Sequence, residues 1–172
     1  MIRTQPHERF SAWLALEPDA ASAFASAVGD TNPLHHDAEF AASTRFGRLL
    51  ASGPQTTAHL LALTASHFSK RGAMLGLEFW VKFRRPIYAD ETITLEWLVV
   101  SVKDSPRLNG EVIDLRGRIR NESGETAVGA KGRILVTESL APVERLSAEK
   151  LSAEKLSAEK LSAEKPSVEK GH

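Results

Sequence analysis

Asp30, Asn32, His35 and Asp37 crowd into one short stretch, VGDTNPLHHDAEF (residues 28–40), together with a proline and a second histidine, His36. A carboxylate and an imidazole held in one turn can divide proton work, one taking a proton from water while the other gives one to carbon. Such a pair needs a rigid loop. Pro33 fixes its own φ and biases Asn32 toward an extended conformation, and Gly29 can release the chain from a preceding helix. A single Asp or His in a turn is more often a helix cap or a surface residue, so the combination carries the chemistry. A metal site is disfavoured. Adjacent histidines on irregular backbone do not converge on one ion, and the sequence has no H-x-x-x-H or Cys/His set elsewhere. His36 is expected to be exposed and Asp37 to cap a helix.

The elements that must hold this turn are legible from periodicity. Residues 10–16 read as a short first strand. Ala20, Ala23, Phe24, Ala27 and Val28 follow helical spacing, with Asp19 as the expected N-cap and Gly29 as the stop. A second short helix is expected to open at Asp37 and run through 38–44. After FGRLLASG comes the longest helical pattern, PQTTAHLLALTASHF, with Pro54 suited to its first turn. From residue 73 onward the period changes to two: Leu77, Phe79, Val81 and Phe83, then Ile93, Leu95, Trp97 and Val99, then Ile113, Leu115 and Ile119, and finally Val128, Ala130, Ile134 and Val136. Four consecutive half-buried strands, the last two separated by the turn NESGE, predict an antiparallel sheet. The long helix would pack across its concave face, an α+β arrangement.

The chain of 172 residues suits one globular domain, expected over 1–145. Residues 146–172 are different material: LSAEK occurs four times in tandem before a degenerate PSVEK. Leucine every five residues advances about 140° per step around a helix, so no apolar stripe forms, and a frayed helix or disordered tail is expected. Twenty-two basic and 22 acidic residues cancel, which gives no bulk argument for nucleic acid or an anionic membrane. The absence of cysteine removes disulfides and thiolate chemistry. With no apolar signal-like run and no membrane-length segment, the chain reads as soluble and cytoplasmic.

GDTNPLH followed by HDAEFA resembles the signature of the MaoC-like dehydratases, the R-specific enoyl-CoA hydratase (hydratase 2) family, which is built on the hot-dog fold. FGRLLASGPQT and FRRPIYADE resemble two further stretches of that family, so the likeness covers roughly residues 10–138. It implies a single hot-dog domain, an antiparallel sheet wrapped around a long central helix. It also implies that Asp30 and His35 are the catalytic dyad that polarises water, with Asn32 supporting them, and that the Gly53 amide binds the thioester oxygen. A glycine amide at a helix start suits a developing oxyanion on physical grounds as well. Many members carry a histidine directly before that glycine, where this chain has Ser52. The implied reaction is hydration of a trans-2-enoyl-CoA, or dehydration of an (R)-3-hydroxyacyl thioester, with no cofactor.

The implied substrate is an acyl-CoA or acyl-carrier-protein thioester. Arg84 or Arg85 are candidates for the coenzyme phosphates, or else solvated arginines at a strand end. A hot-dog acyl-CoA thioesterase would commonly place a carboxylate on the central helix, and residues 55–69 contain no Asp or Glu. A non-catalytic acyl-thioester-binding module is the other alternative, since a fold does not by itself fix a function. Family members of this size form homodimers or higher homo-oligomers in which sheets join edge to edge.

Overall fold

In this computed structural model, residues 3–137 are described; the expected repeat tail at 146–172 lies outside the described residues. Five antiparallel strands form one sheet in the order β1-β3-β4-β5-β2, with β1 at Arg9–Ala15, β2 at Ala73–Phe83, β3 at Thr92–Ser105, β4 at Gly110–Arg120 and β5 at Thr126–Thr137. Three α-helices precede β2: α1 at Pro18–Ala27, α2 at Ala38–Ser43 and α3 at Gly53–Phe68. This is the expected α+β hot-dog arrangement.

The core follows from the two periodicities. Thr56, Leu60, Thr64 and Phe68 recur every fourth residue, which places them on one face of α3, and all four are buried. They meet the inner face of the sheet, where Ile93, Leu95, Trp97 and Val99 alternate along β3 and Ile113, Ile119, Val128 and Ile134 continue the layer. The expected strand faces therefore hold, with one exception on β2. Leu77 and Phe83 are about half exposed, not half-buried core. The ladder shifts between Gly76 and Glu78, so Gly76 opposes Ile134 and Phe79 opposes Gly132, and Leu77 falls in the bulge between. Strict alternation assumed an unbroken ladder. β2 is also an edge strand, so apolar residues along it lack a second neighbour.

Another correction concerns α1. Its N-cap position is Glu17, extended at φ −124° and ψ 133°, with Pro18 in the first turn and Asp19 already helical. Proline's fixed φ is ready-made for that turn, and it sets the start two residues before the polar side chain that suggested it. Gly29, at φ +75°, does end the helix, and the Asp37 carboxylate does cap α2 by accepting from the Phe40 amide at 2.9 Å.

At its C-terminal end α3 is tied to β1 by charge. Glu8 accepts from both Arg71 guanidinium nitrogens and from His67 Nε2 at 2.8 Å, while the His67 ring stacks on Phe10 with centroids 3.9 Å apart. The Arg71 hydrogen bonds hold the Glu8 carboxyl down at about 2; burial opposes this and the His67 bond reinforces it. Because the folded-state value lies below the ordinary 4.5, the stabilisation is complete above that pH and is lost as pH falls toward 2. Glu8→Gln should lower unfolding free energy at pH 7 by roughly 2–4 kcal/mol, and the difference from wild type should shrink in urea titrations at pH 3.

Candidate active site

The turn after α1 is built from side-chain to backbone bonds. The Asp30 amide closes back on the Ala25 carbonyl at 2.9 Å, which the positive φ of Gly29 permits. Asp30 Oδ1 then accepts from the Asn32 amide at 3.0 Å, and Asn32 Oδ1 accepts from the Leu34 amide at 3.2 Å. These two Asx-type turns start the single 3₁₀ turn Pro33–His35 and aim His35 inward, where only 8% of its surface remains exposed.

His35 Nδ1 lies 2.8 Å from the Leu50 carbonyl oxygen. A carbonyl can only accept, so Nδ1 carries the hydrogen and Nε2 of the neutral ring is left with its lone pair. Nε2 faces Asp30 Oδ2 at 3.5 Å. That gap is long for a direct hydrogen bond and suits a water molecule that gives one hydrogen to each group.

The segment carrying Leu50 braces the turn against the sheet. The Leu50 amide donates to the Leu34 carbonyl at 3.0 Å, Ala51 donates to Ile87 at 2.9 Å and Ala89 donates to Leu49 at 3.0 Å. Arg48 secures the same junction through both Asp90 carboxylate oxygens, at 2.7 and 2.8 Å, with its guanidinium 4.0 Å from the Tyr88 ring centroid. The three stretches GDTNPLH, FGRLLASGPQT and FRRPIYADE are thus one bonded unit: each positions the next.

Ser52 and Pro54 dispose of the other first-turn amides of α3. Ser52 Oγ accepts from the Gln55 amide at 3.3 Å, the Ser52 carbonyl accepts from Thr56 at 3.2 Å, and Pro54 has no N–H. The Gly53 amide is therefore the first-turn donor with no acceptor inside the helix, at the positive end of its dipole. A Cβ on Gly53 would lie 2.9 Å from Phe83 Cζ, so the ring packs directly over this glycine.

Asn32, His35 and Gly53 line one open cavity of about 460 Å³, with Thr56, Phe83 and Val128 among its apolar walls. Asp30 does not line it: it borders a separate hollow with Pro33 and His36, and it relates to the cavity through His35, whose Nε2 lies 3.5 Å from Asp30 Oδ2. Arg84 and Arg85 both line the cavity, as does Arg45, which the sequence reading did not single out. Arg85 is paired with Glu125 at 3.0 Å, whereas the Arg45 guanidinium lies over the Phe46 ring.

His36 departs from expectation. It is half-buried, not exposed: Nε2 donates to the Asp30 carbonyl at 2.6 Å and Nδ1 accepts from Ser22 Oγ at 3.0 Å. The acceptor-only carbonyl fixes this tautomer too. His36 thereby ties the backbone of Asp30 to α1, and the two neighbouring rings face different partners. Its sequence signal was the doubled histidine itself, but only the packing of α1 shows where the second ring goes.

An antiparallel sheet packed against one long helix, with His35 and a bare helix-start amide at one cavity and Asp30 behind the histidine, defines a hot-dog domain with a polar site at the amino end of its helix. A family model described as MaoC like domain matches residues 3–115, and the chain belongs to that family. It is 29% identical over 115 residues to a UPF0336 protein of Streptomyces avermitilis, covering 62% of this chain and 74% of that one. It is likewise 29% identical over 97 residues to 3-hydroxyacyl-thioester dehydratase Z of Mycobacterium tuberculosis, covering 55% and 64%. In structure it is similar to an (R)-hydratase from A. caviae involved in PHA biosynthesis, with a TM-score of 0.71 at 23% identity over 79% of this chain and 99% of that one.

Proposed function

We propose that the chain is a hydro-lyase that reversibly hydrates trans-2-enoyl thioesters, or equivalently dehydrates (R)-3-hydroxyacyl thioesters. The observation that carries this reading is the His35 tautomer set by Leu50, which turns a bare Nε2 toward Asp30 at the cavity that Gly53 lines. Water held by the dyad bonds through oxygen to C3 and passes a proton to the pair. The π electrons move onto the thioester oxygen as an enolate, met by the Gly53 amide, and C2 then takes a proton. Asn32 keeps Asp30 in register. Family membership and the dehydratase name of the mycobacterial relative support the same chemistry, and a helix without Asp or Glu between 55 and 69 weighs against a thioesterase.

Binding of coenzyme A or an acyl-carrier protein falls to the cations at the mouth, Arg84 and Arg45 ahead of the already paired Arg85. The activity resides in residues 1–145, in a cytoplasmic homodimer. Support for the dimer comes from the β2 edge, where Leu75, Leu77 and Trp80 are all exposed, and a second sheet edge would cover them. Among the described residues no helix is long and apolar enough to cross a membrane.

The test follows the ultraviolet absorbance of the conjugated thioester, with free thiol measured in parallel, over straight and branched enoyl-CoAs. Absorbance loss without thiol supports the proposal. Thiol release would make it a thioesterase, and silence over the whole panel would make it a binding module. His36 enters as a positioning residue for Asp30. His36→Leu is expected to lower kcat roughly fivefold to tenfold with KM little changed, since the bonds to the Asp30 carbonyl and to Ser22 are both lost at about 1 kcal/mol each and only part of that reaches the dyad. His36→Gln, which can still donate to the Asp30 carbonyl, should recover part of it.

A further inference from the structure

We infer that Trp97 closes the inner end of the acyl cavity and restricts this protein to short acyl chains, a reading that deepens the proposed function and rests on it. The cavity is lined by Gly53 and Thr56 on α3 and by Val128 and Phe83 on the strands, and Leu60 and Trp97 are not among its lining residues. One step deeper on each wall the space is filled. On the sheet, Phe83 opposes Val128, and two residues further in Val81 opposes Ala130, which pairs with Gly117, which pairs with Trp97. On the helix, one turn beyond Thr56 is Leu60, and Trp97 Nε1 donates to its carbonyl oxygen at 2.8 Å.

A side chain rooted in the sheet that bonds to the helix backbone spans the whole gap an acyl chain would have to pass. Its seat is specific: a Cβ on Gly117 would lie 2.6 Å from the indole, so this glycine makes room for it, while one on Gly132 would lie 2.7 Å from the Phe79 ring that packs beside it. Phe79 packs against the ring at a 62° angle, and only 2% of Trp97 is exposed. Seven residues of helical rise put Leu60 roughly 10 Å beyond Gly53, room for an acyl group of about four to six carbons.

The experiment has two arms on the full chain. Binding of butyryl-, octanoyl- and lauroyl-CoA is measured by calorimetry, which needs no turnover, and kcat/KM is measured for trans-2-enoyl-CoAs of the same lengths. In an open tunnel each added methylene would tighten binding about threefold to fourfold. For wild type that gain is expected to stop, or reverse, between butyryl and octanoyl. In Trp97→Leu, and less so in Trp97→Phe, it should continue into octanoyl, with circular dichroism and thermal melts confirming a folded variant. Wild type binding that keeps tightening to lauroyl overturns the inference without recourse to any variant, as does a folded Trp97→Leu with an unchanged length profile. Length-dependent binding without turnover at any length would instead sink the hydratase reading and leave the plug standing.

Discussion

Asp30→Asn and His35→Ala are each expected to lower kcat/KM for crotonyl-CoA by about 10²- to 10⁴-fold, the range over which positioned general acids and bases act. The asparagine change isolates charge from shape. Its amide oxygen can still accept from the Asn32 amide, as Asp30 Oδ1 does at 3.0 Å, so the turn is kept while the carboxylate that shares the water is lost. Removing His35 also strips the Leu50 carbonyl of its donor, a buried acceptor left unpaired at a cost of about 1–3 kcal/mol. Thermal unfolding should therefore register His35→Ala and scarcely register Asp30→Asn, while activity registers both. On the proposed mechanism the two groups hold one water, so the double variant should lose little more than the worse single. Retention of more than a tenth of the activity in either folded variant, or strictly additive losses, would remove the shared-water mechanism.

What could be read ahead of the structure was what is local in the chain. Asp30, Asn32 and His35 lie inside a single turn whose bonds all span a few residues, so type and spacing were sufficient to group them. Gly53 was assigned from the family resemblance, and the helix start announced by Pro54 and the helical spacing behind it favoured that residue on physical grounds; the structure does place it in the first turn of α3. The features that were missed depend on packing between distant segments. Alternation along β2 cannot announce the bulge at Leu77, nor that the strand lies at an edge. Phe83 looked like one more inward strand residue, yet it lies over Gly53, thirty positions earlier in the chain. His36 and Trp97 both owe their partners, the Asp30 carbonyl and the Leu60 carbonyl, to the docking of helices that periodicity locates but does not orient.

Gly53→Ala tests the oxyanion half of the site with a single methyl group. The helix should tolerate it, since alanine is the better helix former and the Phe83 ring, half exposed, can swing aside from the 2.9 Å approach. Melting temperature should therefore hold or rise. Catalysis should not. On the proposed mechanism the methyl and the displaced ring both stand where the thioester oxygen meets the amide, and losing one such donor costs on the order of 10²- to 10³-fold in kcat. Two causes are then separable. If the displaced ring alone blocks the approach, Gly53→Ala combined with Phe83→Ala should restore most of the rate; if contact with the bare amide is what matters, the double variant should stay as slow as the single. The second result is expected, because the amide serves an enolate only where no side chain stands in front of it. A Gly53→Ala enzyme that turns over crotonyl-CoA at the wild type rate would take the oxyanion role away from this residue.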